Sequence, residues 1–94
     1  MHGEYKMPGG KLVVVDLKLD QGALAGVQVS GDFFLEPDTA LDAINQALNG
    51  RPATSTEAEL SAAIDAALGS GVQMYGVSSQ AIAVAVRRAL EGQA

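Results

Sequence analysis

A small α+β fold is predicted by three features of this chain. Two runs of alternating apolar residues fill its first third, a Gly-containing turn joins them, and three stretches of helical periodicity follow. The expected architecture is a small antiparallel β-sheet, a hairpin plus an edge strand, covered on one face by about three helices. The 94 residues suit a single domain, 1–94, with one modest core.

Each element has a local signature. From Lys11 to Asp20, Val13, Val15, Leu17 and Leu19 share one face, while Asp16, Lys18 and Asp20 share the other. Asp20-Gln21-Gly22 supplies the turn, with Gly22 able to take a positive φ. A second run then places Ala25, Val27 and Val29 opposite Gly26, Gln28 and Ser30. Glu4 to Met7 adds an edge strand that ends at Pro8-Gly9-Gly10. Pro37-Asp38-Thr39 opens the first helix with Asp38 or Thr39 as cap. Leu41, Ile44 and Leu48 form its stripe, and Gly50 suits its end.

After the polar linker Arg51 to Thr54, a second helix begins near Thr56, which has capping-box spacing to Glu59. Leu60, Ile64 and Leu68 form its inner face, and Gly69 stops it. The segment Gly69 to Gly76 reads as a Gly-rich connection carrying Val72, Met74 and Tyr75. The third helix starts at Ser78, with Val77 and Ile82 spaced as a hydrophobic staple. Ile82, Val86, Ala89 and Leu90 face inward, and Arg87 and Arg88 favour the negative end of the helix dipole.

Composition removes several classes of chemistry. Without cysteine there is no disulfide, thiolate site or Cys nucleophile. The net charge of −5 and the lack of a basic-aromatic cluster argue against nucleic acid. No apolar run nears the ~20 residues of a membrane span. The opening Met1 to Lys6 does not read as a signal or transit peptide, so a cytoplasmic location is expected. His2, the one histidine, falls at a chain end, where order is usually poorest, and no catalytic or metal role is read for it. Asp38/Asp42 and Glu57/Glu59 read as capping and solubility groups, and Ser78-Ser79 as a helix start.

Two segments remain as candidates for contact. Met7-Pro8-Gly9-Gly10-Lys11 is either an ordinary turn or an anion cradle flanked by Lys6 and Lys11. It is not a nucleotide P-loop, because the spacing differs and a strand follows it. In Gly31-Asp32-Phe33-Phe34, adjacent residues of a strand point to opposite faces. One Phe is therefore expected in the core and the other on the surface.

The motif Lys6-x-Pro8-Gly9-Gly10-Lys11-Leu12-Val13, the hairpin, Gly31-Asp32-Phe33-Phe34 and the closing Gly76-Val77-Ser78 helix occur in this order over Gly3 to Leu90. Together they resemble the accessory domain of lipoate–protein ligases, in the lipoate/biotin protein ligase family. The opening Met1 to Lys6 is also similar to actinobacterial ligases of this class, in which the module precedes the catalytic domain. The resemblance implies a free subunit or one domain of a longer ligase, non-catalytic by itself. Such a domain docks on a catalytic partner and is needed for lipoyl-adenylate formation, and less for lipoyl transfer. It binds no cofactor alone; ATP, magnesium and lipoate are implied in the catalytic partner. Lys6, Pro8, Gly9, Gly10, Lys11, Asp32, Phe33 and Phe34 are implied to face that partner or its adenylate. The alternative is a stand-alone small α+β binding or regulatory domain, such as a homodimer, since the chain offers no clear acid, base or nucleophile.

Overall fold

Three strands, β1 (His2–Lys6), β2 (Leu12–Asp20) and β3 (Ala23–Gly31), form an antiparallel sheet in that order in a computed structural model describing residues 1–92. Helices α1 (Thr39–Leu48), α2 (Glu57–Leu68) and α3 (Ser79–Leu90) cover one face. The predicted α+β class is the observed one. No described helix is long and apolar enough to cross a membrane.

The hairpin differs from simple alternation. Its turn uses positive φ at both Gln21 and Gly22, the pair of values that matches the natural twist of two strands. Pairing runs from Asp16 opposite Gln28 to Lys18 opposite Ala25. Two steps on β2 thus meet three on β3, a β-bulge that Gly26 permits by adopting φ +58°. The extra residue inverts the alternation beyond it, so Leu24, rather than the expected Ala25, joins Val27 and Val29 in the core. Leu19, expected with Val13, Val15 and Leu17, sits beside the hairpin turn and is 42% exposed.

The β3 edge is closed by the α1 segment, and α3 packs closely on β1 and takes one of its edge carbonyls. Along β3, the Val29 and Val27 amides donate to the Oδ1 atoms of Asn45 and Asn49 at 3.0 and 2.9 Å. Backbone bonds of Leu24 to Gly50 and Arg51 extend this closure. Along β1, α3 comes so close that a methyl group at Gly3 would overlap the Ala85 carbonyl and the Ala89 backbone. Arg88 then donates to the Glu4 carbonyl at 3.1 Å, with its guanidinium 5.0 Å from the Tyr5 ring centroid. Arg87, read from sequence as a dipole partner, also donates to the carbonyls of Ala53 and Ser55, holding the α1–α2 loop.

The helix starts are a mixed result. Thr56 and Glu59 form both bonds of the capping box, and Ser78 accepts from the Ala81 amide. Asp38 occupies the cap position of α1 but makes no side-chain cap bond, because its backbone is already helical at φ −63°, ψ −23°. The Gly69–Gly76 connection contains a strand, β5 (Gln73–Tyr75), paired antiparallel with β4 (Phe34–Glu36). Three residues are too few to display a period, and the partner lies far away in sequence, so the pairing left no local trace.

His2 belongs to β1 and is not a loose end. Its Nε2 and Nδ1 contact Glu4 Oε2 and Asp16 Oδ1, each at 2.7 Å. With both ring nitrogens engaged, neither is free for a metal. The bond to Glu4, and then that to Asp16, raises the His2 pKa above its ordinary 6.5. A raised folded-state pKa stabilises the fold fully below the unfolded value, and the effect fades as pH rises through the folded value. The opposite holds for Glu59, whose pKa is lowered first by the Thr56 amide. Its contribution is present above the ordinary 4.5 and is lost as pH falls through the depressed value.

Three outcomes follow for urea unfolding and NMR. Gly3→Ala should destabilise the chain by about 1–3 kcal/mol, the usual range for overpacking. Thr56→Ala should cost about 1 kcal/mol, whereas Asp38→Ala should stay within about 0.5 kcal/mol. The His2 imidazole should titrate above 6.5 and move back toward that value in Asp16→Asn.

Candidate functional site

The Pro8-Gly9 segment is a type II turn. Gly9 takes φ +65° after Pro8, and the Gly10 amide donates to the Met7 carbonyl at 2.9 Å. Gly9 is therefore explained by turn geometry, and the Gly10 N–H is committed to Met7 rather than to an anion. The Met7 amide continues the ladder to the Lys11 carbonyl at 3.2 Å.

Register separates the two lysines. Lys6 pairs with Leu12 and shares its face, which the helices leave uncovered. Lys11 precedes Leu12 and leans the other way, with its stem over Gly76. A methyl group at Gly76 would lie 2.6 Å from Lys11 Cγ, and Gly76 itself has φ +81°. The ammonium of Lys11 thus projects from a stem held between the β1–β2 turn and the start of the α3 segment.

The 31–34 segment reaches the same end of the molecule. The Asp32 amide donates to the Leu12 carbonyl at 3.2 Å. Gly31, at φ +149°, leaves no room for a side chain against that carbonyl. The two Phe residues then divide as expected: Phe33 packs partly buried against the core, and Phe34 is 59% exposed. Phe34 faces Tyr75 across the β4–β5 ladder, ring centroids 6.1 Å apart and tilted 45°. Tyr75 is 48% exposed, and its hydroxyl donates to Gln73 Oε1.

Tertiary structure therefore gathers Pro8 to Lys11, Asp32 to Phe34 and Gln73 to Gly76, while Lys6 turns to the open sheet face. Tyr75 and Gly76 are the residues that sequence reading did not single out for contact. The available signal was an aromatic set among glycines in 69–76. The site offers one cation on a held stem beside an exposed aromatic pair, a surface suited to docking and to placing a charge.

No protein-family model matches this chain, and no curated protein matches it. Among solved structures, it is similar to a chain from an archaeal lipoylation system, a bipartite lipoate protein ligase and its E2 lipoyl domain from Thermoplasma acidophilum. The two are 26% identical with a TM-score of 0.70, and the match covers 93% of this chain and 98% of that one. The fold described above is thus one found, nearly end to end, in a lipoylation system.

Proposed function

We propose that this chain is the accessory domain of a lipoate–protein ligase. It docks on the catalytic domain or subunit and completes it for ATP-dependent formation of lipoyl-adenylate. The observation that carries the reading is the near end-to-end likeness to a chain of a bipartite ligase system.

In this proposal the catalytic partner holds lipoate, ATP and magnesium, in a cytoplasmic setting. The present chain closes over that site. Closure excludes water from an acyl-adenylate that water would hydrolyse, and it need supply no nucleophile. Phe34 and Tyr75 provide apolar contact, and Lys11 brings a positive charge toward phosphate. Gly9, Gly10 and Pro8 shape the turn that carries Lys11, and Asp32 and Phe33 fix the segment leading to Phe34. Lys6, on the open face, is assigned a contact with the partner rather than with the adenylate.

ATP–pyrophosphate exchange with lipoate tests this directly, using the cognate catalytic domain with and without the chain. Exchange that requires the chain supports the accessory role. Equal exchange, with no complex between the two, removes it and favours an independent binding domain. Lys11→Met keeps the aliphatic stem over Gly76 and deletes the charge. It should leave urea stability within about 0.5 kcal/mol of the parent. It should lower exchange by the complete ligase at least about tenfold, roughly 1.4 kcal/mol of transition-state stabilisation. Unchanged exchange would take Lys11 out of the site.

A further inference from the structure

Four large apolar side chains stand exposed among the described residues: Met1, Leu19, Phe34 and Tyr75. Two of these meet as a ring pair although they lie 41 positions apart in the chain. Single exposed apolar residues are ordinary, but adjoining aromatic rings beside concave surface mark a place of contact. Phe34 is the ridge between two grooves. One, of about 590 Å³, runs along Leu35, Glu36, Pro37 and Asp38. The other, of about 140 Å³, lies against Phe33, Asp38 and Leu41.

The charge lining the two grooves has one sign, with the Lys11 cation on the far side of the ring pair. Among the described residues, Glu36 and Asp38 are the only ionisable ones lining either groove, and no lysine or arginine does. Both are exposed, and Asp38 makes no cap bond that would occupy its carboxylate. Aromatic faces accept cations and the aliphatic stems that carry them, while carboxylates accept charge-assisted hydrogen bonds from the same groups. The net charge of −5 repels acidic partners and attracts basic ones.

We infer that the Phe34 ridge and its two grooves dock a basic segment of the catalytic partner, a stretch bearing lysine or arginine next to an apolar anchor. The anchor lies against Phe34 and Tyr75, and the cations reach Glu36 and Asp38. The identity of the partner rests on the function proposed above; the chemistry of the segment rests on the grooves.

The first arm of the test titrates the ¹⁵N-labelled chain with an amidated hexapeptide alternating lysine and leucine. A peptide alternating glutamate and leucine serves as the control. Shifts confined to residues 33–38 and 73–76 are expected with the basic peptide alone. They should vanish near 1 M NaCl, where the screening length is about 3 Å. Phe34→Ala, and the pair Glu36→Gln with Asp38→Asn, should each weaken binding at least about tenfold, the scale of a single lost anchor. Shifts elsewhere, or equal shifts with the acidic peptide, would overturn the inference.

The second arm measures the Kd of the cognate catalytic subunit for the parent chain and for Glu36→Lys with Asp38→Lys. A loss of at least about tenfold supports the surface. A complex that forms and activates adenylation unchanged in that variant overturns the surface while leaving the proposed function in place. A chain that binds the basic peptide at Phe34, yet is ignored by the catalytic subunit, keeps the surface and removes that function.

Discussion

The close approach of α3 to β1 is the contact on which the rest of the fold depends. Gly3 lies directly under Ala85 and Ala89, with no room for even a methyl group. Ala81, Ala85 and Ala89, one turn apart, are all but fully buried and let the helix rest on the strand. Arg88 then fastens the helix to the Glu4 carbonyl and covers Tyr5. α3 also packs on β2, α1 packs on β3, and α2 packs against both of these helices. The largest fully buried residues are Leu, Ile and Val, and the rings of Tyr5 and Phe33 pack only at the margin.

A three-stranded sheet has two edges, and here they are met unequally. The β3 edge is met by side-chain amides of Asn45 and Asn49, which take up backbone donors that would otherwise invite another strand. On the β1 edge, Arg88 of α3 takes up the Glu4 carbonyl. Neither device is available at the end formed by the β1–β2 turn and the β4–β5 ladder. There, backbone demands are met locally by a type II turn and a three-residue pairing, and side chains are left to face outward.

That end also divides the charge. Lys11 projects on one side, held by its stem on Gly76, while Glu36 and Asp38 line the grooves beside Phe34. In the proposed accessory role, a cation near a partner's phosphate and acids against a basic segment would orient the two proteins as well as attract them, since the reversed pose sets like charges together. The likeness to a chain of an archaeal lipoylation system concerns the same fold in which this division is built.

Much was legible from sequence alone because its causes are local. Period-2 runs, the capping box at Thr56 and Glu59 and the Ser78 cap follow from backbone geometry and nearest neighbours, whereas Phe33 and Phe34 divide although Phe33 lies outside any strand. The α+β class followed from those elements, and the end bearing Lys11 and Phe34 was marked by turn glycines and adjacent aromatics. What only the tertiary structure decided involves partners distant in the chain. The Gly26 bulge that puts Leu24 inside depends on the register with β2. The β4–β5 pairing that brings Tyr75 to Phe34 joins segments on opposite sides of two helices in sequence. The orientation of Lys6 away from Lys11 depends on one residue of register across a strand pair. Each is set by which long-range contact packs best, an energy that no short window of residues contains.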